Sequence, residues 1–296
     1  MEENRPQTTE TKITPEAYNQ AIRDLTHLNL QLRRLDKAKD EFISIASHEL
    51  RNPMAIIKGT INTILAGDDG DVNAEVRADL QDVMVVVERQ IRLVNELLDI
   101  SRIEAGVILF NLLPELDVQQ LARLLAVSLN QAAGQSGVKV EVFETSGLPK
   151  VQGDQDKITQ VLVNLVTNAL KFTQNGTIKI SFKQDGEAVV TSVTDSGAGM
   201  PEEKKNELFK KFTKPGDPTV ATMSAGSGLG LYISKKFIEH LGGKLWLESS
   251  ELGKGSTFCF SLPISGSTVA HKIAEEIAAM QTIRQAHFKS ERGTQT

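Results

Sequence analysis

The feature that most limits how this chain can fold is a three-four spacing of apolar residues sustained over two long stretches near its N-terminus. Thr14, Pro15 and Glu16 supply a cap, a first-turn proline and a first-turn acid, so the first helix begins there. Leu25, Leu28, Leu32, Leu35, Phe42 and Ala46 form its seam, interrupted once by Lys39, and the pattern runs past His48 to about Leu65. Ala66-Gly67-Asp68-Asp69-Gly70-Asp71 is a turn by composition. A second helix is predicted over residues 73–104, with Val76, Leu80, Val83, Val87, Ile91, Val94, Leu98 and Ile100 apolar. Two such helices joined by a short loop make an all-α hairpin that cannot bury both its faces. Two hairpins from two copies would close a dimeric four-helix bundle, so a homodimer is expected.

After Ala105-Gly106 the pattern changes to short alternating elements. Strands are predicted at residues 107–113, 138–143, 177–183, 188–194, 244–248 and 256–262, and helices at 118–133, 155–172, 202–212 and 229–241. Helices on one face of a largely antiparallel sheet give an α/β two-layer sandwich, so the chain is multidomain. Val269, Ile273, Ile277, Met280 and Ile283 mark a further amphipathic helix over residues 268–288, expected to pack against its own domain.

Composition narrows the function. The chain has 296 residues, 40% hydrophobic and 24% charged, the balance of a folded protein. Its net charge of −5 comes without a basic stripe, so nucleic acid is not an expected partner. No run approaches the roughly 18 apolar residues of a membrane span, and the polar start is unlike a signal peptide. One cysteine, Cys259, makes no intrachain disulfide and reads as a buried strand residue; a cytoplasmic location is expected. The histidines show no zinc-ligand spacing.

Chemistry concentrates first at Ser47-His48-Glu49-Leu50-Arg51-Asn52-Pro53. Asn52 shares a helix face with His48, and Arg51 lies close to it. Pro53 cannot donate to the carbonyl of Glu49, which loosens the helix at that turn. A neutral imidazole is a competent nucleophile near pH 7, and a neighbouring carboxylate, here Glu49, can hold one ring nitrogen protonated. Phe42 through Pro53 resembles the H box of two-component sensor histidine kinases. That resemblance implies that His48 is the phosphoacceptor, that Glu49 assists its phosphorylation, and that Asn52 orients a water against a regulator's phospho-aspartate.

A second constellation is Gln160, Asn164, Asn168 and Lys171 on one face of a helix, with Ile158, Val161, Leu162, Leu165 and Ala169 on the other. Amides and an ammonium aligned this way suit Mg²⁺ and phosphate oxygens. It is similar to the family's N box, implying that Asn164 and Asn168 hold Mg²⁺–ATP, with Lys171 and Phe172 beside them. Phe172 stands where a tyrosine is frequent, so a hydroxyl contact is missing. Asp195-Ser196-Gly197-Ala198-Gly199 follows a strand and resembles the glycine box whose Asp accepts from the adenine amino group. Gly226-Ser227-Gly228-Leu229-Gly230-Leu231 opens a helix whose free N–H groups suit phosphates. Between them the family carries an ATP lid, here residues 213–225, with Phe209 and Phe212 as its apolar anchors. Lys214 replaces an Arg that reaches the γ-phosphate, keeping charge but losing the bidentate fork. Gly253 to Phe258 resembles the last glycine box, with Thr257 near the adenine.

Taken together, the resemblance covers residues 36–263, with its motifs in the family's order. With it, a coiled-coil signalling helix is expected at 14–40, a dimerisation and phosphotransfer domain at 41–105 and a Bergerat-type ATPase fold at 106–264, while polar composition predicts a disordered segment at 1–13 and apolar spacing a C-terminal helix and tail at 265–296. ATP and Mg²⁺ are the implied cofactors. A response regulator receiver domain and an unknown sensory partner are the implied partners. Two other readings stay open on the sequence: a gating ATPase of the wider chaperone and topoisomerase group, and a homologue that only dephosphorylates or scaffolds.

Overall fold

The computed structural model describes residues 15–68, 70–133, 137–213 and 227–292, and the side chain of His48 also lies outside the description. The chain divides into two compact units, residues 1–106 and 107–296.

The first unit is a hairpin of α1 (Pro15–Ala66) and α2 (Ala74–Glu104). Asn73 caps α2, its Oδ1 accepting from the Val76 N–H at 2.8 Å. Across the turn, Arg77 donates to the Leu65 carbonyl at 2.9 Å, and Lys58 meets Glu88 at 2.7 Å. Ile61, Val87, Val94, Leu98 and Ile103 are buried between the helices, each burial stabilising by about 1.5–3 kcal/mol. Other apolar residues are left uncovered: Leu25, Leu28 and Leu35 along the seam, and Leu50, Ile56, Val83 and Val86 further on.

The second unit is built on a five-stranded sheet of β2 (Val138–Phe143), β4 (Gly176–Asp185), β5 (Ala188–Thr194), β6 (Leu245–Glu251) and β7 (Gly255–Pro263), in the order β2-β4-β5-β7-β6. Only the β2–β4 pair is parallel. Ile178, Ile180, Val189, Val193, Phe258 and Phe260 alternate onto one buried face. Against it lie α3 (Val118–Ala133), α4 (Gln155–Phe172) and α6 (Gly230–His240), contributing Ile158, Leu162, Leu165, Phe237 and Ile238. Cys259 points away from that face, its sulfur 3.1 Å from Ser192 Oγ, and burial pushes the thiol pKa up. A last helix, α7 (Thr268–Arg292), packs on this unit through Ala270 and Ile277.

The structure departs from the expected elements in two places. The strand predicted at 107–113 is β1 (Leu112–Leu116), since Val107 and Leu109 are exposed and only the later residues find a partner. That partner is β3 (Val151–Asp154), four residues too short and too polar to be seen in the sequence. The helix predicted at 202–212 is only α5 (Glu202–Lys205); tight turns follow, and Phe212 takes a φ of 61° that no regular helix admits. In α6 the helix stops where Gly242, at φ 81°, lets the Gly243 N–H return to the Ile238 carbonyl.

Candidate functional site

Two sets of residues carry chemistry, one in each unit. In the hairpin, His48 lies in the uninterrupted α1 backbone, with Glu49 and Asn52 exposed. Pro53 sits inside this helix and withholds the N–H that would bond the Glu49 carbonyl. Arg51 ties this turn to the second helix: its Nε and Nη2 both donate to Asn95 Oδ1 of α2, at 3.2 and 2.7 Å. Sequence reading placed Arg51 beside His48 but missed Asn95, which nothing in the spacing of α2 singles out.

In the sheet unit the site forms where α4, the end of β5 and the start of α6 converge. The face of α4 carrying Ile158, Val161, Leu162 and Leu165 is buried, which turns Asn164 and Asn168 toward the edge of the core. Asn168 Nδ2 donates to Asn164 Oδ1 at 3.3 Å, and Asn164 Nδ2 to Ser234 Oγ on α6 at 2.9 Å. A Cβ added at Gly230 would lie 2.3 Å from Asn164 Oδ1, so only glycine lets the first turn of α6 seat on α4. At Gly228, φ is 73° and a Cβ would fall 2.7 Å from the Thr213 carbonyl oxygen, which brings residues 213 and 228 together at the base of the intervening segment. Leu229 is buried, its N–H donating to Ser227 Oγ at 3.1 Å, and Leu231 is half-buried. Lys214 and Gly226 lie outside the described residues.

Asp195, at the end of β5, is 7% exposed. Its Oδ1 accepts from the Gly197 N–H at 2.9 Å and the Ser256 N–H at 3.2 Å. Burial raises the carboxyl pKa, and those two bonds pull it partly back. The turn after it is fixed by close backbone approach. The Ala198 N–H reaches the Phe172 carbonyl at 3.1 Å, and a Cβ at Gly197 would be 2.4 Å from that oxygen. At Gly199, φ 63°, a Cβ would be 2.0 Å from the Glu251 carbonyl oxygen. Lys171 Nζ sits 5.1 Å from the centre of the Phe172 ring, a cation–π contact at the end of α4.

Thr257 is not brought to this carboxylate. It pairs across the strands with Thr194, hydroxyl to hydroxyl at 3.1 Å, on the other side of the sheet from the Asp195 side chain. Its neighbour Ser256 is the one that meets Asp195, and its hydroxyl bonds Ser250 Oγ at 2.9 Å. Period-two alternation, counted from Asp195 across the strand pair, could have pointed to Ser256. Of the two expected anchors, Phe209 is half-buried under Lys235, while Phe212 is 67% exposed; Leu208 is the buried residue there.

The donors fit a cation that arrives with its own anion. Asn164 and Asn168 offer neutral carboxamide oxygens, and among the described residues no three His, Cys, Asp or Glu side chains gather as a metal site. Mg²⁺ is held in such places by one or two protein oxygens plus substrate phosphates. Among the described residues no helix is long and apolar enough to cross a membrane.

Comparison with known proteins agrees with both halves. Residues 38–106 match the family described as His Kinase A (phospho-acceptor) domain, and residues 153–266 match Histidine kinase-, DNA gyrase B-, and HSP90-like ATPase. The chain is 31% identical over 229 residues to the circadian input-output histidine kinase CikA of Synechococcus elongatus, covering 76% of this chain and 30% of that protein. With the sensor histidine kinase WalK of Bacillus subtilis it shares 32% identity over 239 residues, 78% of this chain and 37% of that protein. It therefore spans less than half the length of either. The structure of full-length ShkA in complex with AMPPNP superposes with a TM-score of 0.63 at 28% identity, covering 77% of this chain and 46% of that one. A phosphoacceptor helical hairpin followed by this ATPase sheet defines one family, and the chain belongs to the two-component sensor histidine kinases.

Proposed function

We propose that this chain is an ATP-dependent protein-histidine kinase that phosphorylates its own His48 and passes the phosphoryl group to an aspartate of a response regulator. We further propose that it acts as a homodimer through the hairpin, whose uncovered apolar residues support that pairing. The observation that carries the reading is the convergence of Asp195, Asn168 and the glycine-bounded start of α6 in one unit, with the His48 turn in the other.

The carboxylate of Asp195 is held by two N–H groups on one oxygen, so the other can accept from the amino group of adenine. A guanine carbonyl offers no such donor. Phosphates would lie at the α6 N-terminus, where Gly228 and Gly230 keep side chains out of the turn and a helix start offers N–H groups to an anion. Asn164 and Asn168 would hold Mg²⁺, which supplies charge neutralisation on the phosphates when bound. At His48 the unprotonated ring nitrogen attacks the γ-phosphorus. The bond to the bridging oxygen breaks, ADP leaves, and Glu49 holds the proton on the second ring nitrogen. Asn52, exposed one turn on, accepts from the water that attacks the regulator's phospho-aspartate and donates to a transition-state oxygen.

Incubation with γ-labelled ATP tests this directly. Acid-labile, base-stable label on the protein is the expected result. Free phosphate with no protein label would instead make the chain a gating ATPase.

A further inference from the structure

The C-terminal helix lies beyond the residues matched to the ATPase family, which end at 266. It is not a loose appendage. Ser267 caps it, its Oγ accepting from the Ala270 N–H at 3.2 Å. Ala270, Ile273, Ile277 and Gln281 then fall on one inward stripe, with Ala270 and Ile277 buried. The first half of α7 crosses the end of α6, where a Cβ at Gly242 would lie 2.7 Å from Ile273 Cγ1. Gln152 of β3 donates to the Ala270 carbonyl at 2.7 Å. Two turns beyond Ile273, Gln281 Nε2 donates to the Phe110 carbonyl at 3.0 Å.

Phe110 is the first buried residue after residues 104–109, which are exposed save for the half-buried Ile108. Its ring meets two residues of α6: Phe237 edge-on at 6.4 Å and His240 stacked at 5.8 Å. Its side chain is thus held by the last turn of α6 and its backbone by α7. The other end of α6 is the glycine-bounded turn that seats on Asn164.

We propose that α7 and the C-terminal end of α6 form a seat for the linker, and that α7 is a clasp keeping Phe110 in it. The chain entering this unit is then fixed from Phe110 onward, by α6 and α7 at Phe110 and by β3 at Asn111, whose N–H donates to Asp154 Oδ2 at 2.7 Å. This rests on the kinase reading above only for its effect on rate; the clasp itself is tested without phosphorylation.

The test is backbone hydrogen exchange at residues 107–111 in the full chain, compared with Gln281→Ala and Ile277→Asp, alongside binding of a fluorescent ATP analogue and the rate of His48 labelling. Gln281→Ala loses one hydrogen bond on a partly exposed face, so folding is retained; exchange at 107–111 should rise about fivefold. Ile277→Asp should raise it by more than tenfold, because it lifts the helix. In both, nucleotide affinity should stay within about twofold while the labelling rate changes severalfold. Unchanged exchange at 107–111, with α7 amides alone exchanging faster, would overturn the clasp. So would a loss of nucleotide affinity in step with labelling, which would make α7 merely structural. If the wild-type chain takes no label at all, the kinase reading fails, and exchange at 107–111 still decides the clasp.

Discussion

Asp195 is held in a way that costs stability, and its proposed role is to recognise adenine. Its carboxyl pKa is raised chiefly by burial, so the folded state prefers the protonated form more than the unfolded chain does. The ionised group therefore weakens the fold above the folded-state pKa, and that cost disappears as pH falls through it. An amide in its place keeps an acceptor for the Gly197 and Ser256 N–H groups without the charge. Asp195→Asn should accordingly leave the nucleotide-free melting temperature unchanged or higher while weakening ATP binding by at least about tenfold. In the wild type, ATP affinity should fall on acidification at a pH above the ordinary carboxylate range, and the variant should show no such step. A variant that melts several degrees lower yet binds ATP normally would contradict this role.

At the scale of elements, the site's framework is held by contacts between α4 and α6. Gly230→Ala would push a methyl into Asn164 Oδ1, and overpacking of this kind costs about 1–3 kcal/mol. We expect a lower melting temperature and a weakened nucleotide affinity, both measurable by thermal shift with and without ATP. On α1, Asn52→Ala should spare autophosphorylation and slow dephosphorylation of a phospho-regulator; equal loss of both would remove Asn52 from its proposed task. The elements also show what a sequence can carry. The face of α4 was legible because Ile158, Val161, Leu162 and Leu165 repeat at helical spacing, and that burial decides where Asn168 points. Ser234, Ser256 and Asn95 were not legible, since each matters through a partner 44 to 70 residues away. The helix predicted at 202–212 proved to be only α5, because the apolar residues Leu208 and Phe209 that prompted the longer reading are packed from turns. Where a local pattern decides burial, the residues announce the fold; where two distant segments share one hydrogen bond, they do not.

For the whole molecule, the hairpin is the element that a single copy leaves unfinished. Leu28, Leu50, Ile56 and Val83 are all more than two-fifths exposed. Apolar surface of that extent favours association. Sedimentation equilibrium at micromolar concentration should give twice the mass of the chain, and a monomer there would contradict the proposed bundle.

In the proposed reaction one atom set, the imidazole of His48, receives the phosphoryl group from ATP bound in the other unit. Labelling with γ-labelled ATP, run on the wild type and on His48→Ala alongside ATP-analogue binding, tests it most directly. Acid-labile label is expected on the wild type, none on the variant, and equal nucleotide affinity for both; label persisting on His48→Ala would contradict this assignment.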